Sequence, residues 1–281
     1  MKNLLIVDGH NLLFQMFYGM PSRITNKEGK AIHGVMGFVG ALIKIIKMTD
    51  AAHIIVVFDG EQENERVNLS PDYKANRVDY SAIPDDENPF SQLCDIYAAL
   101  DFMKIRYVEA TDFEADDVIA SYVHRYSGEV QVFISSFDSD FFQLISDAVF
   151  VLRYRGKNTV TCDAAYVQSK YGVLPEQYAD FKSLTGDSAD NIKGAEKVGP
   201  KTAAALINQF GSLQGVLDNI DRIEKPSVMQ SVLRNKERLQ MNYSLIKLDY
   251  RQVPIFDLIE LDCAYSGIAT HGVLRGIGVL G

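Results

Sequence analysis

Leu4-Leu5-Ile6-Val7-Asp8 is four apolar residues followed by an acid, and Ile54-Ile55-Val56-Val57-Phe58-Asp59 repeats the pattern. A third run, Val130-Gln131-Val132-Phe133-Ile134, leads to Asp138 and Asp140. Short β-branched runs bounded by polar residues read as buried strands. Segments of helical period separate them, at about 34 to 48, 89 to 103 and 114 to 126, and weaker strand signals lie at about 106 to 109 and 149 to 153. The alternation predicts an α/β fold, a central and mostly parallel twisted sheet flanked by helices. Sites in such sheets form outside the carboxyl ends of the strands, which is where the apolar runs place their acids.

Two further segments add acids. Glu114-Ala115-Asp116-Asp117 carries three within four residues, and Thr185-Gly186-Asp187-Ser188-Ala189-Asp190-Asn191 carries two. Asp8, Asp59, Glu114, Asp116, Asp117, Asp138, Asp140, Asp187 and Asp190 are therefore candidates for one cluster. Gathered together they would repel one another unless divalent cations neutralised them. Several have a blander reading as helix caps: Thr111 with Glu114 fits a capping box, Asp138 can cap the short helix after it, and Asp187 can cap with Asp190 at its third position. Asp8 and Asp59 end strands and start no obvious helix, so a functional role is favoured for them. Capping also does not explain why four places that converge in an α/β fold all carry acids. An oxygen-only set selects magnesium or manganese over zinc. Two such ions about 3.5 to 4 Å apart suit in-line hydrolysis of a phosphodiester. No Ser-His-Asp or Cys-His arrangement competes, and His10, alone beside the first acid, reads as structural.

The chain has 281 residues, 47% hydrophobic, with 28 Lys+Arg against 37 Asp+Glu and a formal net charge of -9. That balance argues against a general nucleic-acid binder, which is normally basic, although local basic patches remain open. Cys94, Cys162 and Cys263 form neither a disulfide framework nor a zinc spacing and read as buried free thiols. Only a short apolar run follows Met1 and Lys2, and the stretch from Ala31 to Met48 is broken by His33, Lys44 and Lys47. A soluble, cytoplasmic protein with no membrane partner is expected, a monomer by default.

Residues 60 to 90 lose hydrophobic periodicity and form a polar insertion within an α/β domain of residues 1–160. From 161 to 281 the pattern is helical, with no further strand expected. Pro200 opens a helix over 201–210 that Gly211 stops. The preceding stretch, from Asn191-Ile192-Lys193-Gly194 to Lys197-Val198-Gly199-Pro200-Lys201-Thr202, reads as a glycine turn and a new helix start ringed by Lys193, Lys197 and Lys201. Backbone amides there suit a phosphate; an ordinary helical hairpin explains the segment equally well by itself. In the insertion, Tyr73-Lys74-Ala75-Asn76-Arg77 would set Lys74 and Arg77 one turn apart on a helix.

Taken together, these motifs resemble the flap endonuclease/5′–3′ exonuclease family, in particular the 5′-nuclease domain of bacterial DNA polymerase I and its stand-alone relatives. The resemblance covers about residues 3 to 250. It implies that all nine acids occupy metal-binding positions for two magnesium or manganese ions, and that Lys74, Arg77, Asp116 and Asp138 carry the chemistry. It implies that the insertion is a helical arch, with Arg66, Tyr73, Lys74 and Arg77 contacting DNA. A helix–hairpin–helix at about 184–210 would grip duplex DNA through Lys193, Gly194, Lys197, Gly199, Lys201 and Thr202, with a bound potassium ion. Three positions depart from the family pattern. Gln15 and Ser139 replace an arginine and a lysine, and Lys197 replaces a glycine of the hairpin. The implied activity is hydrolysis of DNA at 5′ flaps, nicks or free 5′ ends, RNA-primed ones included, in replication or repair and linked to a DNA polymerase. Two alternatives stand beside it. One is a non-catalytic DNA-junction binder of the same fold. The other is a small-molecule phosphohydrolase using Asp8, which would lack a second acid two residues on.

Overall fold

The computed structural model describes residues 2–60, 65–111, 113–250 and 255–281, so part of the polar insertion, 61–64, lies outside the described residues. The first domain runs β1 (Asn3–Asp8), α1 (Gly9–Gly19), α2 (His33–Thr49), β2 (Ala51–Asp59), α3 (Glu65–Leu69), α4 (Leu93–Met103), β3 (Arg106–Ala110), α5 (Ala115–Tyr126), β4 (Gln131–Ser135), β5 (Val149–Arg153) and β6 (Val160–Cys162). The sheet order is β3-β2-β1-β4-β5-β6, parallel except for β6. The central strands carry continuous apolar stretches, Leu4–Val7, Ile54–Phe58 and Val132–Ile134, because both faces are covered. On one face Leu4, Ile6, Ile55, Val57, Val132 and Ile134 pack with α5. On the other, Leu5, Val7, Ile54 and Val56 pack against α1, α2 and α4. Each such Leu, Ile or Val contributes about 1.5–3 kcal/mol by leaving water.

β1 is flanked by β2 on one side and β4 on the other, so the chain reverses its direction of winding there. The crevice outside the carboxyl ends of those strands is the topological switch point. Asp8, Asp59 and the 136–140 turn all open onto it.

The second part comprises α6 (Ala164–Tyr171), α7 (Tyr178–Thr185), a two-residue ladder of β7 (Gly186–Asp187) with β8 (Ile192–Lys193), then α8 (Pro200–Phe210), α9 (Leu213–Asp218), α10 (Pro226–Arg234), α11 (Lys236–Ile246) and α12 (Thr270–Gly276). Its buried Phe181, Leu184, Val198, Leu206 and Leu239 belong to the same core cluster as β1 and α5. α12 returns to pack on α2 and α4. Among the described residues no helix is long and apolar enough to cross a membrane.

Several expectations are corrected. α1 follows Asp8 directly, and the Asp8 carboxylate caps it by accepting from Asn11 N at 3.1 Å; its start lacks the usual polar residue outside the strand. β6, β7 and β8 are strands where none was expected. Tyr73–Arg77 is not helical: the segment is a chain of turns with Lys74 in the left-handed region at φ 57, since its N–H bonds Asp190 O at 3.0 Å. Of the thiols, Cys162 is buried, Cys263 partly so, and Cys94 is exposed.

Candidate metal and nucleic-acid site

The carboxylates lie along the sheet's carboxyl edge and onto α7. Asp8 ends β1 and accepts from Ser136 Oγ at 2.8 Å, and that hydroxyl accepts from Asp138 N at 3.0 Å. Asp138 in turn accepts from Asp140 N at 2.8 Å, tying β1 to the turn after β4. Asp59 ends β2 and accepts from Ala115 N at 2.8 Å, so it caps α5 from another strand. Glu114, expected to close a capping box, makes no capping bond. Asp116 and Asp117 sit in the first turn of α5, where the helix dipole favours negative charge. Asp140, Asp187 and Asp190 each offer an oxygen within 4.8 Å of the others.

Protein cations neutralise part of this row. Arg66, 8% exposed, pairs with Glu114 and donates to Asp117 Oδ1 at 2.8 Å. Lys74 Nζ donates to Glu114 Oε1 at 2.6 Å, and the Tyr73 hydroxyl donates to Oε2 at 3.2 Å. Arg77 Nη2 lies 3.2 Å from Asp190 Oδ1. Lys182 of α7, buried, pairs with both Asp140 and Asp187. Sequence reasoning missed Lys182; the signal available was one lysine in the apolar stretch Phe181-Lys182-Ser183-Leu184 just ahead of Gly186-Asp187. Arg66 and Tyr73, expected to contact DNA, are buried here, Arg66 against Glu114 and Asp117 and Tyr73 against Glu114.

Asp8, Asp116 and Asp138 form no ion pair with Lys or Arg among the described residues. Burial, reinforced by Asp59 and Asp138 and opposed by the Asn11 and Ser136 bonds, raises Asp8 to about 7. Burial and the charge of Asp138 push Asp116 well above the usual carboxylate range. For Glu114 and Asp187, burial is outweighed by Lys74 with Arg66 and by Lys182 respectively, and both are lowered. His10 lies 3.8 Å from Asp59 and packs edge-on against Phe58 and Phe90, in keeping with a structural role. The nearby imidazole, the Ala115 N–H bond and the charge of Lys74 together hold Asp59 at about 2 despite burial. Uncompensated, desolvated oxygens with no sulfur or imidazole in the donor set fit hard divalent cations.

A groove of about 780 Å³ runs from Ser139, Lys182 and Asp187 to Lys193, Gly194 and Gly199. At its far end the hairpin presents exposed Lys193, Lys197 and Lys201, with Gly199 at the N-cap of α8 and Thr202 half-buried in its first turn. Gly194 is pressed onto α7, where an added Cβ would lie 2.3 Å from the Thr185 carbonyl carbon. Gln15 is turned inward and donates to the Tyr154 carbonyl.

An α/β sheet with acids at its switch point, followed by a helical part carrying a hairpin, is the architecture of metal-directed nucleases of the 5′ type. Residues 3–172 match the model of the 5′-3′ exonuclease N-terminal resolvase-like domain, and residues 173–265 that of the C-terminal SAM fold. The chain belongs to the 5′–3′ exonuclease family. It is 32% identical over 250 residues to a 5′-3′ exonuclease of Aquifex aeolicus, covering 88% of this chain and 82% of that protein. It is 35% identical over 245 residues to the thermostable DNA polymerase I of Thermus aquaticus, covering 87% of this chain but 28% of the polymerase. The chain thus spans little more than a quarter of the polymerase relatives it matches. Among solved structures it is similar to the bacteriophage T5 flap endonuclease in a pseudo-enzyme-product complex with DNA and metal ions (TM-score 0.70, 26% identity, 87% of this chain and 89% of that one). It is equally similar to T5 5′-exonuclease with bound divalent zinc (TM-score 0.70, 26% identity, 98% and 97%).

Proposed function

We propose that this protein is a divalent-metal-dependent 5′ nuclease that hydrolyses DNA phosphodiester bonds at 5′ flaps, nicks or free 5′ ends, RNA-primed ends included. The observation that carries this reading is the row of acids across the switch point, of which Asp8, Asp116 and Asp138 form no ion pair with Lys or Arg among the described residues. Asp8, Asp59, Glu114, Asp116, Asp117, Asp138, Asp140, Asp187 and Asp190 would hold two magnesium or manganese ions. Such ions supply charge neutralisation at the phosphate and a water that ionises near neutral pH.

The protein's own groups do the rest. The Ser136 hydroxyl holds the Asp8 carboxylate and accepts from Asp138 N, while Asp140 N holds the Asp138 carboxylate, which fixes both carboxylates before substrate arrives. Lys74 and Arg77 are held over the acids by Glu114 and Asp190. They face the position of a scissile phosphate, whose charge would compete for them. The groove then carries the duplex strand from the acids to the hairpin lysines. The same reading makes the protein a cytoplasmic monomer working beside a DNA polymerase in replication or repair.

The test is cleavage of a labelled 5′-flap duplex with magnesium, with EDTA and Asp138→Asn as controls. Magnesium-dependent release of short products, absent in both controls, is expected. An intact flap with wild-type protein, or equal cutting by Asp138→Asn, overturns the reading; duplex binding without cutting would leave a junction-binding protein.

A further inference from the structure

The hairpin between α7 and α8 contains Lys197 at φ 65, a left-handed backbone disfavoured for a side chain with a Cβ. Something must hold it there. In this chain the holding groups come from α11 and the residue before it. Arg238 Nη2 donates to Gly194 O at 2.8 Å and to Glu196 Oε1 at 3.1 Å. Asn235 Nδ2 donates to the other Glu196 oxygen at 2.7 Å. Asn242 Nδ2 bridges Lys193 O at 2.9 Å and Ser183 O at 3.0 Å, tying hairpin to α7. Val198 N donates to Ala195 O at 3.1 Å, so the carbonyls of Lys193, Gly194 and Ala195 all accept from protein donors.

We propose that α11 braces this hairpin in place of a bound alkali cation, with Arg238 as the principal positioning residue. A potassium ion would have to share these carbonyls with donors already seated, and would sit beside a guanidinium of like charge. The two fit poorly together. The brace leaves the side chains of Lys193, Lys197 and Lys201 with no hydrogen bond or ion pair among the described residues, exposed on the outer side of the turn. Their charges are thereby left for phosphates, and a rigid backbone presents them without an ordering cost on binding. The inference rests on the DNA-binding reading above and specifies how that surface is kept in shape.

Two measurements on the full chain test it. Fluorescence anisotropy with a nicked duplex, in EDTA and equal ionic strengths of potassium, sodium or lithium chloride, reads the cation dependence. Hydrogen–deuterium exchange over 193–199 without DNA reads the brace itself. Wild-type affinity is expected to agree within about twofold across the three salts. Arg238→Ala is expected to weaken duplex binding by about tenfold, to quicken exchange over the hairpin and to acquire a preference for potassium; Arg238→Lys should recover part of each. These magnitudes correspond to one lost charge-assisted bond to a hairpin carbonyl. Circular dichroism melting identifies a variant that has merely unfolded, in which case the wild-type salt comparison decides. Wild-type binding several-fold tighter in potassium overturns the proposal, as does unchanged hairpin exchange in folded Arg238→Ala. If wild-type protein binds no duplex in any salt, the nuclease reading itself fails and takes this one with it.

Discussion

The two ends of the carboxylate row differ in whether a protein cation pairs with each acid. Glu114, Asp117, Asp140, Asp187 and Asp190 each have an internal cation, supplied by Arg66, Lys74, Lys182 or Arg77. Asp8, Asp116 and Asp138 form no ion pair with Lys or Arg among the described residues, although the charge of Lys74 reaches Asp116. The compensated acids behave as structure, since removing a cation strands a buried charge. On the proposed function, the buried Asp8 and Asp116 are a cost that the fold carries for a metal ion. Opposite substitutions should therefore have opposite signs in stability while both impair activity.

The largest effect is expected from Asp116→Asn. It should lower flap cleavage in magnesium by about 10³-fold, roughly 4 kcal/mol of transition-state stabilisation. In EDTA the same variant should melt higher than wild type, because it removes an ionisable group whose burial beside Asp138, Asp59 and Asp8 disfavours its charged form. A lower melting temperature in EDTA would mean that Asp116 is already compensated. Lys182→Met tests the other end. Without metal it should cost about 3–5 kcal/mol in urea melts, the penalty for breaking a buried ion pair. Magnesium should restore part of that loss by taking the place of the ammonium between Asp140 and Asp187. An unaltered urea midpoint would dissolve the contrast.

A pH series sharpens it further. Asp8 is raised to about 7 in the fold from 3.8, so the folded protein holds a proton that the unfolded chain has lost. Stability from this group is therefore present at low pH and is lost as pH climbs towards 7. The slope is about 1.4 kcal/mol per pH unit between roughly pH 5 and 6.5. Since Asp187 and Glu114 are lowered and act in the reverse sense, the difference between wild type and Asp8→Asn in EDTA isolates the Asp8 contribution. Parallel melting curves for the two proteins would place Asp8 among the ordinary carboxylates.

The sheet was legible because strands covered on both faces need a continuous apolar stretch, and β1, β2 and β4 carry Leu4–Val7, Ile54–Phe58 and Val132–Ile134. The positions of Asp8 and Asp59 could be read for a related reason, since they stand where those runs stop, and those of Asp116 and Asp117 because a helix begins there. What stayed hidden depended on distance in the chain. That Asp59 caps α5, 56 residues on, is a tertiary bond no local pattern announces. Lys182 looked like one more helical lysine until α7 turned it under Asp140. The Tyr73–Arg77 turns escaped because Lys74 is bent by a bond to Asp190, far along the sequence. Helical spacing in that segment was real; the tertiary acceptor overrode it.

The smallest predicted effect concerns the residue that belongs to both ends. Lys74 pairs with Glu114, yet it also draws Asp116 and Asp59 downward through its charge. In the absence of DNA it is therefore part of the compensation, and with a phosphate over the acids it would change partner. Lys74→Ala should leave duplex affinity within about twofold, because on the proposed function the hairpin lysines would supply most phosphate contacts. It should lower kcat by about tenfold, near 1.4 kcal/mol, because its new partner carries more charge in the transition state than in the ground state. Arg66, buried and doubly paired, offers no such exchange, so Arg66→Ala should appear in melting temperature before it appears in kcat. Equal losses in binding and turnover for Lys74→Ala would make Lys74 a positioning contact and return it, with Arg66, to the structural half of the row.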